Sequence, residues 1–490
     1  VPITFLFLPA TLKLMRNFLK RNQMLSLLKP VSVGLLVLAV MCPAMASAQD
    51  AKTVPQSRQD MQMSFSPLVK QTAGAVVNVY AERVVQRPSS LTGDPFFDQF
   101  FGQRMPNRSE KQSSLGSGVI LSHDGLVVTN NHVIKGADDI KIALADGREF
   151  PCEVVLKDET VDLAVLRIKS KESFPVLTLG DSDSAEVGDL VLAIGNPFGV
   201  GQTVTSGIVS GLARNQVTSG DFGFFIQTDA SINPGNSGGA LMNMKGELIG
   251  VNTAIFSRGG GSNGVGFAIP ANLVKVFLAA ASEGKTAFDR PYVGATFDAV
   301  TSDIAEALGL KAARGALVVR TVEGGPADKA GLKPGEVITA VNGISVEHPD
   351  ALGYRLTTAG LGKKAELVVQ TSDGPKQMTL MLNTAPETTP RDERQIEGRN
   401  PFAGLHVANL SPKLATELHV STDATGVIVT DVTRGSPSAR LGFQPNDIVV
   451  SINGADVKST KALQGMLDQD PGFWRVEIER DGQRIRQFFR

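Results

Sequence analysis

Cysteine is nearly absent: the chain has two, Cys42 and Cys152, so a disulfide-stapled scaffold is excluded. Basic residues are not in excess. Lys and Arg number 48 against 49 acids, a net charge of −1, and no basic stripe of the kind a general nucleic-acid binder needs is present. No glycine-rich loop has the spacing that cradles nucleotide phosphates. No apolar run is long enough to cross a bilayer; the best, residues 31–41, is about half the required length. Tryptophan occurs once and tyrosine three times. What is abundant is turn chemistry. Fifty Gly and 26 Pro in 490 residues suit many short strands joined by turns. The length suggests about three domains of ~150 residues.

Residues 1–48 carry Lys13, Arg16, Lys20, Arg21 and Lys29 but no acid, then the short apolar run, then Ala46-Ser47-Ala48. A basic start, a greasy middle and small residues before Gln49 describe a secretory signal peptide cut after Ala48; a membrane anchor is the alternative. Its removal leaves 43 basic residues against 49 acids, near −6. It also leaves Cys152 alone, so no internal disulfide forms. An exported chain of this kind suits a bacterial periplasm, with membrane association no deeper than peripheral.

Residues 49–63 are polar and read as a flexible N-terminus. A longer stretch, 64–286, then shows a helix at 66–70 and a first strand at 75–80. The pattern breaks at 87–114, which holds the Phe-rich segment Asp94-Pro95-Phe96-Phe97-Asp98-Gln99-Phe100-Phe101-Gly102. Large apolar groups on a loop need cover, either from a small local core or from another subunit. Short strand signals follow at 116–121, 126–129, 140–144, 154–156, 163–168, 190–194, 203–212, 224–228, 247–252 and 264–269. They predict a mainly β fold, a barrel or sandwich. A helix is expected at 273–282.

Beyond this the chain repeats itself with an offset of 111 residues. Gly315-Ala316-Leu317-Val318-Val319 matches Gly426-Val427-Ile428-Val429-Thr430, and Val341-Asn342-Gly343 matches Ile452-Asn453-Gly454. Two copies of a small module are expected, at 287–384 and 400–490. The stretch 385–399, rich in Thr, Pro, Glu and Arg, reads as their linker.

The motif that organises the chain is Asp229-Ala230-Ser231-Ile232-Asn233-Pro234-Gly235-Asn236-Ser237-Gly238-Gly239-Ala240-Leu241. Glycines on both sides of Ser237 allow another backbone to approach the hydroxyl. They leave the N–H groups around Gly235, Asn236 and Ser237 free to face a developing oxyanion. Alone, the motif also reads as a polar surface turn. A serine nucleophile needs a base, and the base needs an orienting acid. Of the five histidines, His348, His406 and His419 lie in the repeats. His123 sits in a polar Ser-His-Asp-Gly turn. His132, in Thr129-Asn130-Asn131-His132-Val133, stands at a strand end beside apolar residues and is the better base. Asp162 opens Val161-Asp162-Leu163-Ala164-Val165 and is the aspartate set against strand residues rather than in a turn. The order His132, Asp162, Ser237 is that of chymotrypsin. An α/β-hydrolase elbow would follow a strand, open a helix and place its histidine last.

These three motifs, with Ala193-Ile194-Gly195-Asn196-Pro197-Phe198-Gly199, resemble the HtrA/Deg family, specifically the periplasmic Do-like serine endoproteases with two PDZ domains. The resemblance covers essentially the whole mature chain. It implies a chymotrypsin-like double β-barrel followed by two PDZ domains, and ATP-independent cleavage of misfolded or unfolded envelope proteins. It assigns the base to His132, its orienter to Asp162 and the nucleophile to Ser237. The strand Thr253-Ala254-Ile255-Phe256-Ser257 would pair with substrate. No acid lies there, so a small or medium apolar residue is expected before the scissile bond. Tyr292-Val293-Gly294-Ala295 and Phe402-Ala403-Gly404-Leu405 stand where PDZ domains hold a terminal carboxylate. The second copy has Asn446-Asp447 where a Gly-Asp is common, so it is the weaker candidate for peptide binding and a candidate for assembly. Homotrimers and larger assemblies are implied, built through the Phe-rich regulatory loop 87–114 and PDZ contacts. Asn236 stands where digestive relatives carry an Asp that pairs with a new N-terminus, so activation by propeptide cleavage is not expected. Loop rearrangement is, with candidate loops at 87–114, 196–202, 213–223 and 257–262. No cofactor and no metal are expected, and no redox control, since the regulatory loop lacks a cysteine pair. A holdase chaperone with minor proteolysis is the alternative.

Overall fold

Twelve strands build two closed barrels. The computed structural model describes residues 64–87, 108–196, 201–214, 223–233, 235–255, 262–422, 424–469 and 472–489. The expected signal peptide, the flexible 49–63 segment and the Phe-rich 94–102 segment lie outside these.

The first barrel consists of β1 (Val76–Arg87), β2 (Arg108–Ile120), β3 (Leu126–Thr129), β4 (Asp139–Ala143), β5 (Glu149–Asp158) and β6 (Leu163–Ile168), closed in the order β1-β2-β3-β6-β5-β4. The second closes as β10-β11-β12-β9-β8-β7, from β7 (Leu190–Gly195), β8 (Thr203–Arg214), β9 (Phe225–Thr228), β10 (Ala240–Met242), β11 (Leu248–Ile255) and β12 (Gly266–Pro270). Closure removes every sheet edge within each barrel. The interiors hold the aliphatic residues of the sequence pattern, such as Val77, Ile120, Leu166 and Ile142 in one and Val191, Ile226, Leu241 and Ile249 in the other. The expected regulatory loop 87–114 is narrower than its sequence suggests. Residues Arg108 to Ser114 pair with Arg87 to Ala81 in a hairpin that extends β1 and β2. Arg108-Ser109-Glu110-Lys111-Gln112-Ser113-Ser114 has no apolar alternation to announce a strand, and its pairing is inherited from β1.

The helix Ala271–Ser282 leads out of the second barrel into a sheet of β13 (Ala295–Ala299), β14 (Ala316–Thr321), β15 (Val337–Val341), β16 (Ile344–Ser345), β17 (Lys364–Thr371) and β18 (Gly374–Met381). The last module holds β19 (Arg394–Gln395), β20 (Leu405–Asn409), β21 (Val427–Val432), β22 (Ile448–Ile452), β23 (Ala455–Asp456), β24 (Trp474–Arg480) and β25 (Gln483–Phe489). The repeat offset carries into the backbone: β14, β15 and β16 recur as β21, β22 and β23 at 111 residues. No helix among the described residues is long and apolar enough to cross a membrane.

The first module docks on the second barrel through its helix Pro349–Ala359. Tyr354, fully buried, stacks on Phe224 with ring centroids 3.9 Å apart and planes within 5°. Its hydroxyl reaches Asp183 Oδ1 at 3.2 Å, and Arg355 Nη1 pairs with the same oxygen at 2.5 Å. Burial pushes the Tyr354 phenol well above its ordinary range. His348 caps the helix by accepting from Ala351 N–H through Nδ1, and its Nε2 donates to the Ala213 carbonyl at 2.8 Å. Ala213 and Phe224 lie on either side of residues 215–222, and this one helix with its cap contacts both.

Candidate active site

The site lies between the barrels. Asn131–Ile134 forms a single helical turn directly after β3, which carries His132 into the cleft with its side chain about half exposed. Asp162 adopts φ 52°, a left-handed conformation that costs a non-glycine residue free energy. Compensation comes from its surroundings. The Asp162 carbonyl accepts from Asn131 N–H at 3.2 Å and from Asn130 Nδ2 at 3.0 Å. Its carboxylate accepts from His132 N–H at 2.9 Å through Oδ1. Oδ2 takes His132 Nδ1 at 2.7 Å and Thr253 Oγ1 at 2.7 Å. A carboxylate bound by that many donors fixes the imidazole's plane and favours the tautomer with the proton on Nδ1, which leaves Nε2 free to accept one.

Ser237 sits on the facing turn. Gly235 has φ 99° and Gly238 φ 82°, both requiring glycine. A Cβ at Gly238 would meet the Ser117 carbonyl at 2.1 Å and Thr129 Oγ1 at 2.4 Å, so the first barrel touches this turn with bare backbone. Ser117 N–H donates to the Ser237 carbonyl at 2.8 Å. Ser117 Oγ donates to the Gly235 carbonyl at 2.6 Å while accepting from Asn196 N–H at 2.8 Å. With the Gly235 carbonyl held back in this way, its N–H and that of Ser237 make no backbone hydrogen bond among the described residues. Two unclaimed donors beside a hydroxyl are what oxyanion stabilisation requires. Asn236 is fully buried, and its amide has no hydrogen-bond partner among the described residues. A carboxylate there would be buried without compensation. The Ser237 hydroxyl donates to the Thr253 carbonyl at 3.3 Å; no bond from it to His132 forms in this state.

The structure therefore gathers His132, Asp162, Gly235, Asn236, Ser237 and Thr253. Ala254 and Ile255 continue β11, while Phe256 and Ser257 lie outside the described residues. His123 stays apart, its Nδ1 bonded to the Phe174 carbonyl at 2.9 Å. Sequence reasoning missed Ser117 and the side-chain role of Thr253. Ser117 had a signal, a lone small polar residue in Gly116-Ser117-Gly118 inside a strand; Thr253 had none. Among the described residues no cluster of His, Cys, Asp and Glu could hold a metal ion. In the repeats, Gly294 and Gly404 both take positive φ, 67° and 95°, as the turn into β13 and β20 demands.

Two closed barrels with this arrangement across their seam define a chymotrypsin-like serine endopeptidase. Residues 116–251 match the trypsin-like peptidase domain model, and 317–371 and 428–473 each match the PDZ domain. The chain is 36% identical over 470 residues to the periplasmic pH-dependent serine endoprotease DegQ of Escherichia coli K12, covering 95% of this chain and 98% of that one. It is 36% identical over 461 residues to the periplasmic serine endoprotease DegP of the same organism, covering 89% and 93%. Among solved structures, the HtrA-type protease AlgW with decapeptide superposes with a TM-score of 0.50 at 42% identity, over 66% of this chain and 99% of that chain. The chain belongs to the HtrA/Deg family of Do-like serine endoproteases. It is a periplasmic, ATP-independent serine endopeptidase.

Proposed function

We propose that this endopeptidase uses Ser237 as nucleophile, His132 as base and Asp162 as orienter on unfolded or misfolded periplasmic proteins. The observation that carries the assignment is the Asp162 carboxylate, which binds His132 at both its backbone and its ring. His132 Nε2 takes the Ser237 proton as Oγ attacks the scissile carbonyl, and the imidazolium formed faces the Asp162 charge. The oxyanion is received by the N–H groups of Gly235 and Ser237, with the Asn236 peptide between them. The proton then passes from His132 to the leaving amine, and water repeats the cycle on the acyl-enzyme. Residues Thr253 to Ser257 pair with the substrate backbone, and a small or medium apolar side chain precedes the scissile bond.

Substrate is also bound through the PDZ modules, with Tyr292, Val293, Gly294 and Ala295 holding a chain-terminal carboxylate, and chains oligomerise as homotrimers and larger assemblies. The mature chain begins after Ala48. Its domains are the protease at 64–286 and the PDZ modules at 287–384 and 400–490. Casein digestion tests the triad. Ser237→Ala and His132→Ala should each abolish cleavage, while His123→Ala should digest at the wild-type rate. Equal digestion by wild type and Ser237→Ala refutes the assignment. If wild type and Ser237→Ala both fail to digest casein yet suppress aggregation of an unfolded client, the protein acts as a chaperone.

A further inference from the structure

The two PDZ modules differ at the strand that would receive a peptide. In the first, β13 pairs with β14 and its other edge carries no strand among the described residues. In the second, β20 lies between β21 and β19, and β19 is part of the linker. Arg394 pairs with Val407 and Gln395 with His406, antiparallel. The pairing extends both ways. Asn409 N–H donates to the Arg391 carbonyl at 2.7 Å, and Asn409 Nδ2 to the Pro390 carbonyl at 2.9 Å. Ile396 N–H donates to the Leu405 carbonyl at 2.8 Å. Gly404 N–H, in the loop that would hold a carboxylate, donates to the Ile396 carbonyl at 2.8 Å.

Side chains follow the backbone. Ile396 is fully buried and belongs to the same apolar cluster as Phe402, Leu405, Leu463 and Leu467. The last two come from the helix Thr460–Leu467, the counterpart of Pro349–Ala359 at an offset of 111. Thr460 Oγ1 at the start of that helix donates to Asp392 Oδ2 at 2.6 Å. The segment thus runs along β20 with one side chain at the helix and its last apolar residue at the Gly404 loop. Strand addition to a sheet edge draws affinity from main-chain bonds and specificity from alternate side-chain pockets, and residues 391–396 supply both.

We propose that residues 391–396 are a built-in ligand of the second PDZ module, with Ile396 in the place of a captured terminal residue. This rests on reading Phe402-Ala403-Gly404-Leu405 as an end-binding loop. The second module is then closed to client ends while the strand is docked, and the first module alone receives them. A tethered ligand acts at an effective concentration of about 1 mM. A free peptide of ~10 μM intrinsic Kd would therefore bind the closed module about 100-fold more weakly.

The test is amide exchange in the full mature chain carrying Ser237→Ala. The probe is a decapeptide of residues 387–396 with a free carboxylate on its Ile. The Gly404, Ile396 and Asn409 amides should be protected in this chain and unaffected by 50 μM probe. Adding Ile396→Gly should expose the Gly404 and Asn409 amides, and 50 μM probe, but not its C-terminal amide, should protect them again. Free exchange at Gly404 without Ile396→Gly overturns the docked strand. Protection there, with no rescue of Ile396→Gly by the probe, overturns the end-binding reading of the loop and the ligand role with it. Should Ile396→Gly unfold the module, a disulfide from Gln395→Cys with His406→Cys decides. Locking the strand should leave the number of probe molecules bound per chain unchanged, and loss of one overturns the proposal.

Discussion

Gly195→Ala adds one methyl group and removes no chemistry, yet it should nearly silence the enzyme. Gly195 ends β7 and pairs with Thr203, so its own strand tolerates alanine. The added Cβ would lie 2.3 Å from Asn236 Oδ1 and 2.8 Å from the Asn236 Cα, where ordinary contact begins at 3.4 Å. Relief requires the backbone next to Ser237 to retreat by about 0.6 Å and the Asn236 amide by about 1.1 Å. A misplacement of about 1 Å at reacting groups costs roughly 100-fold in rate, or about 2.7 kcal/mol of transition-state stabilisation. The overpacking should also lower stability by ~1–3 kcal/mol. The assay is kcat/KM on an internally quenched peptide, with thermal unfolding alongside. Gly353→Ala is the control. Gly353 lies exposed in the helix Pro349–Ala359 with nothing within 4 Å of an added Cβ, and the change should stabilise by about 0.5–1 kcal/mol at unchanged kcat. A folded Gly195→Ala chain cleaving within threefold of wild type would refute the claim that the Gly195–Asn236 contact sets the position of Ser237.

Thr253→Val keeps the shape of the side chain but removes its bond to Asp162. Hydrogen bonds to charged groups contribute about 1.5–3 kcal/mol, so kcat/KM should fall by roughly 10- to 100-fold, with Thr253→Ser recovering most of it; equal activity of Thr253→Val and wild type would count against the bond. Burial pushes the Cys152 thiol up to about 12. At pH 8 the thiolate is then about a thousandfold scarcer than in a free cysteine. Iodoacetamide should label the folded chain at a correspondingly low rate and the urea-unfolded chain at once, and rapid labelling of the folded chain would place Cys152 at the surface.

The β nature of the chain was legible because the barrel strands alternate or run apolar over lengths that only strands use, as at Leu163–Ile168, which the structure reproduces. The repeat was legible because backbone demands recur with it. Gly335 at φ 89° and Asn446 at φ 72° occupy equivalent turns, and Asn is the side chain that best tolerates this region after Gly. The departure at Asn446-Asp447 is thus a local substitution within the same turn. Asp447 is fully buried and paired with Arg480 at 2.6 Å. Polar edge pairing was not legible. Neither Arg108 to Ser114 nor Arg394-Gln395 carries an apolar signal, since each gains its partner from a strand elsewhere in the chain.

Thr253 shows why one contact of the site left no trace in the sequence. The register of β11 against β12 shifts between Asn252 and Ala254, so Thr253 sits in a bulge. A bulge leaves one residue out of the ladder and re-aims its side chain. Its hydroxyl can therefore turn to Asp162 while its carbonyl, unclaimed by β12, accepts from Ser237. In the proposed mechanism the Ser237 hydroxyl must leave that carbonyl to reach His132. A neutral hydrogen bond contributes only about 1 kcal/mol net, roughly a fivefold bias between the two positions of the hydroxyl. A bias of that size is overcome by modest differential binding of substrate. A peptidyl phosphonate that labels Ser237 should then react no more than about fivefold slower with wild type than with Thr253→Gly, in which the bulge is relaxed and the carbonyl no longer fixed, once the loss of the Asp162 bond is corrected by the rate of Thr253→Val. A gap of a hundredfold would mean that the resting position of Ser237 is held by more than this one bond.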